Sequence, residues 1–278
     1  MNIVRTIYFA LTPKLRFVAR RIYYFPYDAY MKLFKRQDDK IPPRGMIFIG
    51  SGDFRQQGER LKNLVVEHTG LKPDGKILDV GCGIGRLAIP LTRYLSAEGL
   101  YEGFDIVKMG IRWCNRNITP EYPNFHFRYV DLKNDLYNLS TENEAKSFQF
   151  PYPRNSFDSV VLTSVFTHMM PEDVQHYLEQ ISQVLKDGGR CMATFFIIDE
   201  EVRKAMNDKQ TTFEFNHAYN GYYLMSANVK EANVAYDENY LYDMIRQSGM
   251  QVILKSRGGW SKGREPLDFQ DLLVLTKK

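Results

Sequence analysis

The sequence predicts an α/β fold, a mostly parallel seven-stranded sheet with helices on both faces, three layers in all. Three observations predict it. An apolar strand pattern at 77–80 breaks into a turn with Gly81, Gly83 and Gly85, and a helical stripe of Ile84, Leu87, Ala88, Leu91 and Leu95 follows. Strand and helix patterns then alternate as far as residue 198. Two strand patterns, at 251–255 and 272–276, close the chain after one more helix.

Residues 1–45 read as a basic, aromatic, amphipathic arm, and 46–278 as the main domain. Val4, Ile7, Tyr8 and Leu11 make one apolar stripe, Pro13 interrupts, and Leu15, Val18, Ala19 and Ile22 make another. Arg5, Arg16, Arg20 and Arg21 fall largely on the opposite faces. Residues 1–40 hold nine Lys/Arg against three Asp, a charge of +6, whereas the whole chain nets +4, so the remainder nets −2. No run in the arm reaches bilayer-spanning length, and Arg5 and Pro13 do not suit a signal peptide. Two readings stay open: an interfacial helix touching anionic lipid, or a helical cap packed on the domain. The basic charge is confined to the arm, which argues against a broad nucleic-acid face on the domain. Three scattered cysteines, Cys82, Cys114 and Cys191, form no metal or disulfide pattern and suit a reducing cytoplasm.

After the 41–45 linker, Gly50-Ser51-Gly52 lacks the Gly-Lys-Ser/Thr of a phosphate loop. Leu61, Leu64, Val65 and His68 mark a helix ending near Gly70. The glycine turn comes next, and its G-x-G-x-G spacing differs from the G-x-G-x-x-G of dinucleotide folds. Asp79, two residues ahead of it, would oppose a pyrophosphate but suit a ligand carrying an ammonium group. The second strand, 100–106, closes on Asp105, where a carboxylate can accept from both ribose hydroxyls or cap the following helix. A third strand at 124–130 ends in Asp131-Leu132, and the polar stretch 133–153 reads as a surface loop. The fourth strand runs from Phe157-Asp158 to Thr163-Ser164-Val165 at the expected topological switch point, with His168 just beyond. Pro171, Glu172 and Asp173 open a helix that Lys186-Asp187-Gly188-Gly189 stops, and 190–198 is the fifth strand. Residues 199–236 are an aromatic-rich insertion.

The glycine turn, Asp105, Phe157-Asp158 and the stretch Val184-Leu185-Lys186-Asp187-Gly188-Gly189-Arg190 together resemble the class I S-adenosylmethionine-dependent methyltransferases, over about 70–278. The resemblance implies a Rossmann-like sheet with its last strand antiparallel, and S-adenosyl-L-methionine as cofactor. Carried over residue by residue, it implies a cofactor site of Asp79, Gly81, Cys82, Gly83, Gly85 and Arg86 at the turn. Asp105 and Ile106 would hold the ribose, Asp131 and Leu132 the adenine, and Thr163, Ser164 and Val165 the switch-point wall. It also implies a substrate lid at 199–236, with His217, Tyr222 and Tyr223 in the acceptor pocket. Tyr23 and Tyr24 of the arm are weaker candidates for the same role. His168 is the candidate general base, needed if the acceptor starts protonated.

The expected function is methyl transfer to a small-molecule, glycan, sugar or lipid-linked acceptor. No Asp/Asn-Pro-Pro-Tyr/Phe follows the fourth strand, which disfavours amino-methylation of DNA bases, and a nucleic-acid partner is not expected. Two other readings stand beside it. One is a non-catalytic S-adenosylmethionine-binding scaffold; the other is a nicotinamide-dependent oxidoreductase. The expected location is cytoplasmic, with peripheral contact at the inner face of the membrane through residues 1–40.

Overall fold

A computed structural model describes residues 12–34, 40–48, 52–262 and 265–277. The stripe of Val4, Ile7, Tyr8 and Leu11 lies outside them. The main sheet has seven strands: β1 (Lys76–Val80), β2 (Leu100–Asp105), β3 (Phe125–Tyr129), β4 (Phe157–Leu162), β5 (Leu185–Phe195), β10 (Met250–Ser256) and β11 (Asp271–Lys277). Its order is β10-β11-β5-β4-β1-β2-β3. β1 to β5 are mutually parallel, and β11 is antiparallel to both neighbours, inserted between β5 and β10. The Rossmann-like architecture with an antiparallel last strand is therefore as the sequence predicts. Strand order reverses between β1 and β4, so a crevice opens at their carboxyl ends.

Period-two alternation divides the core into two layers. Ile77 on β1 faces a cluster with Tyr101, Phe125, Val161 and Met192, covered by α2 (Phe54–Thr69) and α4 (Lys108–Asn117). Leu78 and Val80 face the other way, toward Phe104, Leu162 and Ala193, under α5 (Pro171–Val184) and α7 (Glu238–Gln247). Asp53 caps α2 by accepting from the Gln56 N–H at 2.8 Å, and Gly70 ends it in a left-handed conformation.

Local structure departs from the sequence reading in four places. The helix after the glycine turn is regular only over α3 (Ala88–Leu91), because Pro90 has no N–H to donate; its five stripe residues are nonetheless buried. β5 begins at Leu185, and between Leu185 and Arg190 it bulges against β4 through Gly188, whose φ is +75°. Residues 133–153 are not merely a surface loop, since Phe148 and Phe150 set their edges against Phe104 at 5.5 and 5.1 Å. In the arm, one 22-residue helix, α1 (Pro13–Phe34), runs through Pro26. Its predicted apolar stripe of Leu15, Val18 and Ile22 faces solvent. No helix among the described residues is long and apolar enough to cross a membrane.

The insertion builds a second sheet, ordered β6-β9-β8-β7, from β6 (Ile197–Ile198), β7 (His217–Ala218), β8 (Tyr222–Leu224) and β9 (Val234–Asp237), beside the helix α6 (Glu200–Asn207). One buried carboxylate joins it to the main sheet. Asp271, at the start of β11, accepts from the Ile197 N–H at 2.7 Å, the Gly258 N–H at 2.7 Å and the Trp260 indole at 2.8 Å. Asp271→Asn replaces one acceptor oxygen with a donor that faces donors. The expected cost is about 1–3 kcal/mol, read as a melting-temperature drop of a few degrees in a thermal scan.

Candidate active site

The glycine turn owes its shape to backbone geometry. Gly81 has φ +77°, and a Cβ there would stand 2.4 Å from Val165 Cγ2 on the loop after β4. Any side chain would therefore be both strained and in collision. The Gly81 and Cys82 N–H groups donate to the Phe104 carbonyl at 2.9 and 3.1 Å, which ties the turn to the end of β2. Asp105 completes the tie: its carboxylate accepts from the Gly83 N–H at 2.7 Å and the Val107 N–H at 2.6 Å. Asp79 is buried and accepts from the Tyr101 hydroxyl at 2.6 Å. Burial pushes the Asp79 carboxyl up to about 7, against the Tyr101 hydrogen bond that favours the charged form; nearby Asp105 adds to the rise.

One cavity of about 280 Å³ lies over this turn. Asp79, Gly81, Cys82 and Arg86 line its floor, Asp105, Ile106 and Leu132 one side, and Thr163, Ser164 and Val165 another. His168 reaches the same space. The strand ends of β1, β2, β3 and β4 thus bring eleven of the sequence-predicted positions together. Ser164 holds φ +57°, a strained conformation for a serine; its N–H donates to Thr194 Oγ1 at 2.8 Å and its hydroxyl to Gln270 Oε1 at 3.0 Å.

Other predicted residues are elsewhere. Gly83 and Gly85 lie behind the cavity wall, where a Cβ on Gly85 would press within 3.0 Å of Ile118 and 3.1 Å of Cys114. Asp131 is exposed and turned away from the cavity, its carboxylate accepting from the Tyr129 hydroxyl at 2.8 Å and Asn138 Nδ2 at 3.0 Å. Its neighbours Val130 and Leu132 are buried and line the cavity, whereas Asp131 between them is exposed. The aromatic acceptor candidates are also displaced. His217 is exposed on β7, Tyr222 stacks on Tyr219 at 4.9 Å, and Tyr223 packs against the cluster around Phe196 and Trp260. Tyr23 is exposed on α1, and Tyr24 lies under the Arg20 and Arg44 guanidinium groups.

The insertion does reach the cavity, through a residue the sequence reading passed over. Glu231, on the turn Lys230–Ala232, lines it together with Asn134 and Tyr137. The Glu231 carbonyl accepts from His168 Nδ1 at 2.9 Å, and its carboxylate accepts from the Asp135 N–H at 2.5 Å. Asn134 Nδ2 donates to the His168 carbonyl at 3.1 Å. Because a carbonyl can only accept, Nδ1 carries the proton and Nε2 of neutral His168 keeps its lone pair. Burial holds the His168 imidazole below its ordinary value, so the neutral form dominates at pH 7. Burial also pushes the Glu231 carboxyl up to about 7, against the Asp135 N–H. No pattern in the 199–236 segment marks Glu231, since its place depends on a contact with His168, 63 residues away.

A family model described as a methyltransferase domain matches residues 71–249. The chain belongs to the class I S-adenosylmethionine-dependent methyltransferases. The family's cofactor is S-adenosyl-L-methionine, the ligand with an ammonium group, a ribose and no phosphate. Over 135 residues the methyltransferase is 27% identical to the ubiquinone/menaquinone biosynthesis C-methyltransferase UbiE of Wigglesworthia glossinidia brevipalpis, covering 49% of this chain and 48% of the relative. Over 137 residues it is 29% identical to the tRNA N(3)-cytidine methyltransferase METTL2 of Gallus gallus, covering 48% of this chain and 34% of that one. The chain thus spans half or less of the length of these two relatives. Among solved structures, protein PH0226 of Pyrococcus horikoshii has the same fold, with a TM-score of 0.56 at 15% identity, covering 90% of this chain and 99% of that one.

Proposed function

We propose that this methyltransferase methylates a small, largely apolar acceptor, free or lipid-linked, whose reacting group starts with a proton. The observation that carries the reading is one cavity lined by Asp79, Asp105 and a His168 whose proton sits on Nδ1. Beside His168, Glu231 and Asn134, the lining of that cavity includes Val130, Met169 and Tyr177, with Lys133 and Tyr137 adding polar groups. Such a lining suits an apolar body with one or two polar groups.

The donor set fits the cofactor. Asp79 would face its ammonium group and Asp105 its ribose, on a turn where Gly81 lets the backbone come close. Bound there, the cofactor supplies a sulfonium-activated methyl group. The chain's own work is to hold the acceptor in line, exclude water and take the acceptor's proton at His168 Nε2 as the new bond to the methyl carbon forms. Asn134 and the Glu231 carbonyl hold the imidazole ring in place.

The charge of Asp79 makes cofactor affinity depend on pH. The ionised carboxylate attracts the ammonium group and the protonated form does not, so affinity is expected to rise as pH passes upward through about 7. Calorimetric titration with S-adenosylmethionine from pH 5.5 to 8.5 tests this, and Asp79→Asn is expected to flatten the profile.

A tRNA acceptor is the second reading, and the relative that acts on tRNA reopens it despite the acidic balance of residues 41–278. Cytidine N3 already carries a lone pair and needs no base. Release of S-adenosylhomocysteine should be measured with the purified chain against phenolic and quinol-type lipids, small glycosides and bulk tRNA. Turnover confined to the apolar acceptors is expected, and turnover confined to tRNA would overturn the proposal.

A further inference from the structure

We propose that α1 docks the methyltransferase on an anionic lipid surface, with its outer face lying in the headgroup layer. The argument begins with the helix's reversed amphipathicity. Leu15, Val18, Ile22 and Phe25 recur at three- and four-residue spacing, Leu33 follows eight residues later on the same side, and the stripe points away from the protein. Ile22 and Phe25 are each 69% exposed and Leu33 is 74% exposed. The face turned toward the body is the less apolar one, with Phe17, Arg20, Tyr24, Asp28 and Met31 partly covered. A helix stabilised only by packing on its own domain would be turned the other way.

The inner face is nevertheless firmly held. Asp28 accepts from the Arg44 N–H at 2.7 Å and the Gly45 N–H at 2.9 Å, and the Phe17 ring sets its edge on Phe48 at 5.4 Å. The outward direction of the stripe is therefore set by specific contacts.

Charge selects the occupant. α1 carries five Lys/Arg and one Asp, and that Asp is taken up by the Arg44 and Gly45 N–H groups. Exposed Arg21 and Lys32 border the stripe on one side, and Tyr23, Tyr27 and Tyr30 on the other. An apolar face flanked by cations and amphipathic tyrosines matches an anionic headgroup layer. Two copies meeting through this face would bring like charges together. Phe48, the partner of Phe17, also lines the main cavity, so docking would place that cavity beside the bilayer.

Flotation of the full chain with phosphatidylcholine vesicles, with and without roughly 30% phosphatidylglycerol, tests the proposal. At about 0.05 M salt, binding to the anionic vesicles is expected to exceed binding to neutral ones at least tenfold, and to weaken strongly at about 0.5 M salt. Ile22→Ser with Phe25→Ser should abolish it while leaving the affinity for S-adenosylmethionine unchanged. If that variant is unstable, Arg21→Glu with Lys32→Glu should lose the preference for anionic vesicles. Wild-type protein that ignores anionic vesicles would overturn the proposal, as would variants that bind like wild type. A wild-type dimer that the Ile22/Phe25 variant dissociates, with no lipid binding by either, would assign the face to self-association instead. Vesicle binding is read without any acceptor, so failure here leaves the methyl-transfer reading untouched.

Discussion

Asp105→Ala is expected to weaken S-adenosylmethionine binding by on the order of 100-fold. Two losses add. The carboxylate would no longer accept from the ribose hydroxyls, and charge-assisted hydrogen bonds of that kind are worth about 1.5–3 kcal/mol each. The Gly83 and Val107 N–H groups would also lose the acceptor that holds the glycine turn in shape. A factor of 100 corresponds to about 2.7 kcal/mol, within the reach of the first loss alone. Titration calorimetry gives the affinity directly. Asp105→Asn keeps one acceptor oxygen and should fall between wild type and the alanine variant. An Asp105→Ala protein that binds with wild-type affinity would remove Asp105 from the cofactor site.

His168→Gln is expected to lower kcat by about 10²- to 10⁴-fold, the usual contribution of a positioned general base. Affinity for S-adenosylmethionine should stay within about twofold, because the Asp79 and Asp105 carboxylates that would hold the cofactor are untouched. Glutamine preserves a donor toward the Glu231 carbonyl but offers no basic nitrogen. The pH profile separates catalysis from scaffolding. Wild-type kcat should fall on the acid side as the imidazole takes up a proton. Its depressed pKa places that fall below the ordinary histidine range, and the variant should lack it. Turnover by His168→Gln equal to wild type would point to an acceptor that needs no base, as a tRNA cytidine would.

Asp79 and Asp105 were legible because each lies at the carboxyl end of a strand whose register is local. Strand, turn and strand lie within thirty residues, and parallel pairing of β1 with β2 sets Asp79 opposite Gly103, which leaves Asp105 two residues further along the neighbouring strand. Asp131 shows where that logic needs one more step. Val130 and Leu132 line the cavity, and Asp131 between them is left in solvent. The insertion shows a different difficulty. Its aromatic residues looked like a pocket lining because they are large and apolar, yet they fill their own cluster around Trp260. The residue that reaches the cavity is a glutamate, held there by a turn that meets His168.

By itself the sequence determined the sheet, its glycine turn and the family, because hydrophobic period and glycine spacing act over a few residues. Tertiary structure alone decided the imidazole tautomer, the approach of Glu231 and the outward turn of the α1 stripe. Each of these depends on contacts between residues far apart in the chain, and one-dimensional patterns carry no record of which distant groups will meet.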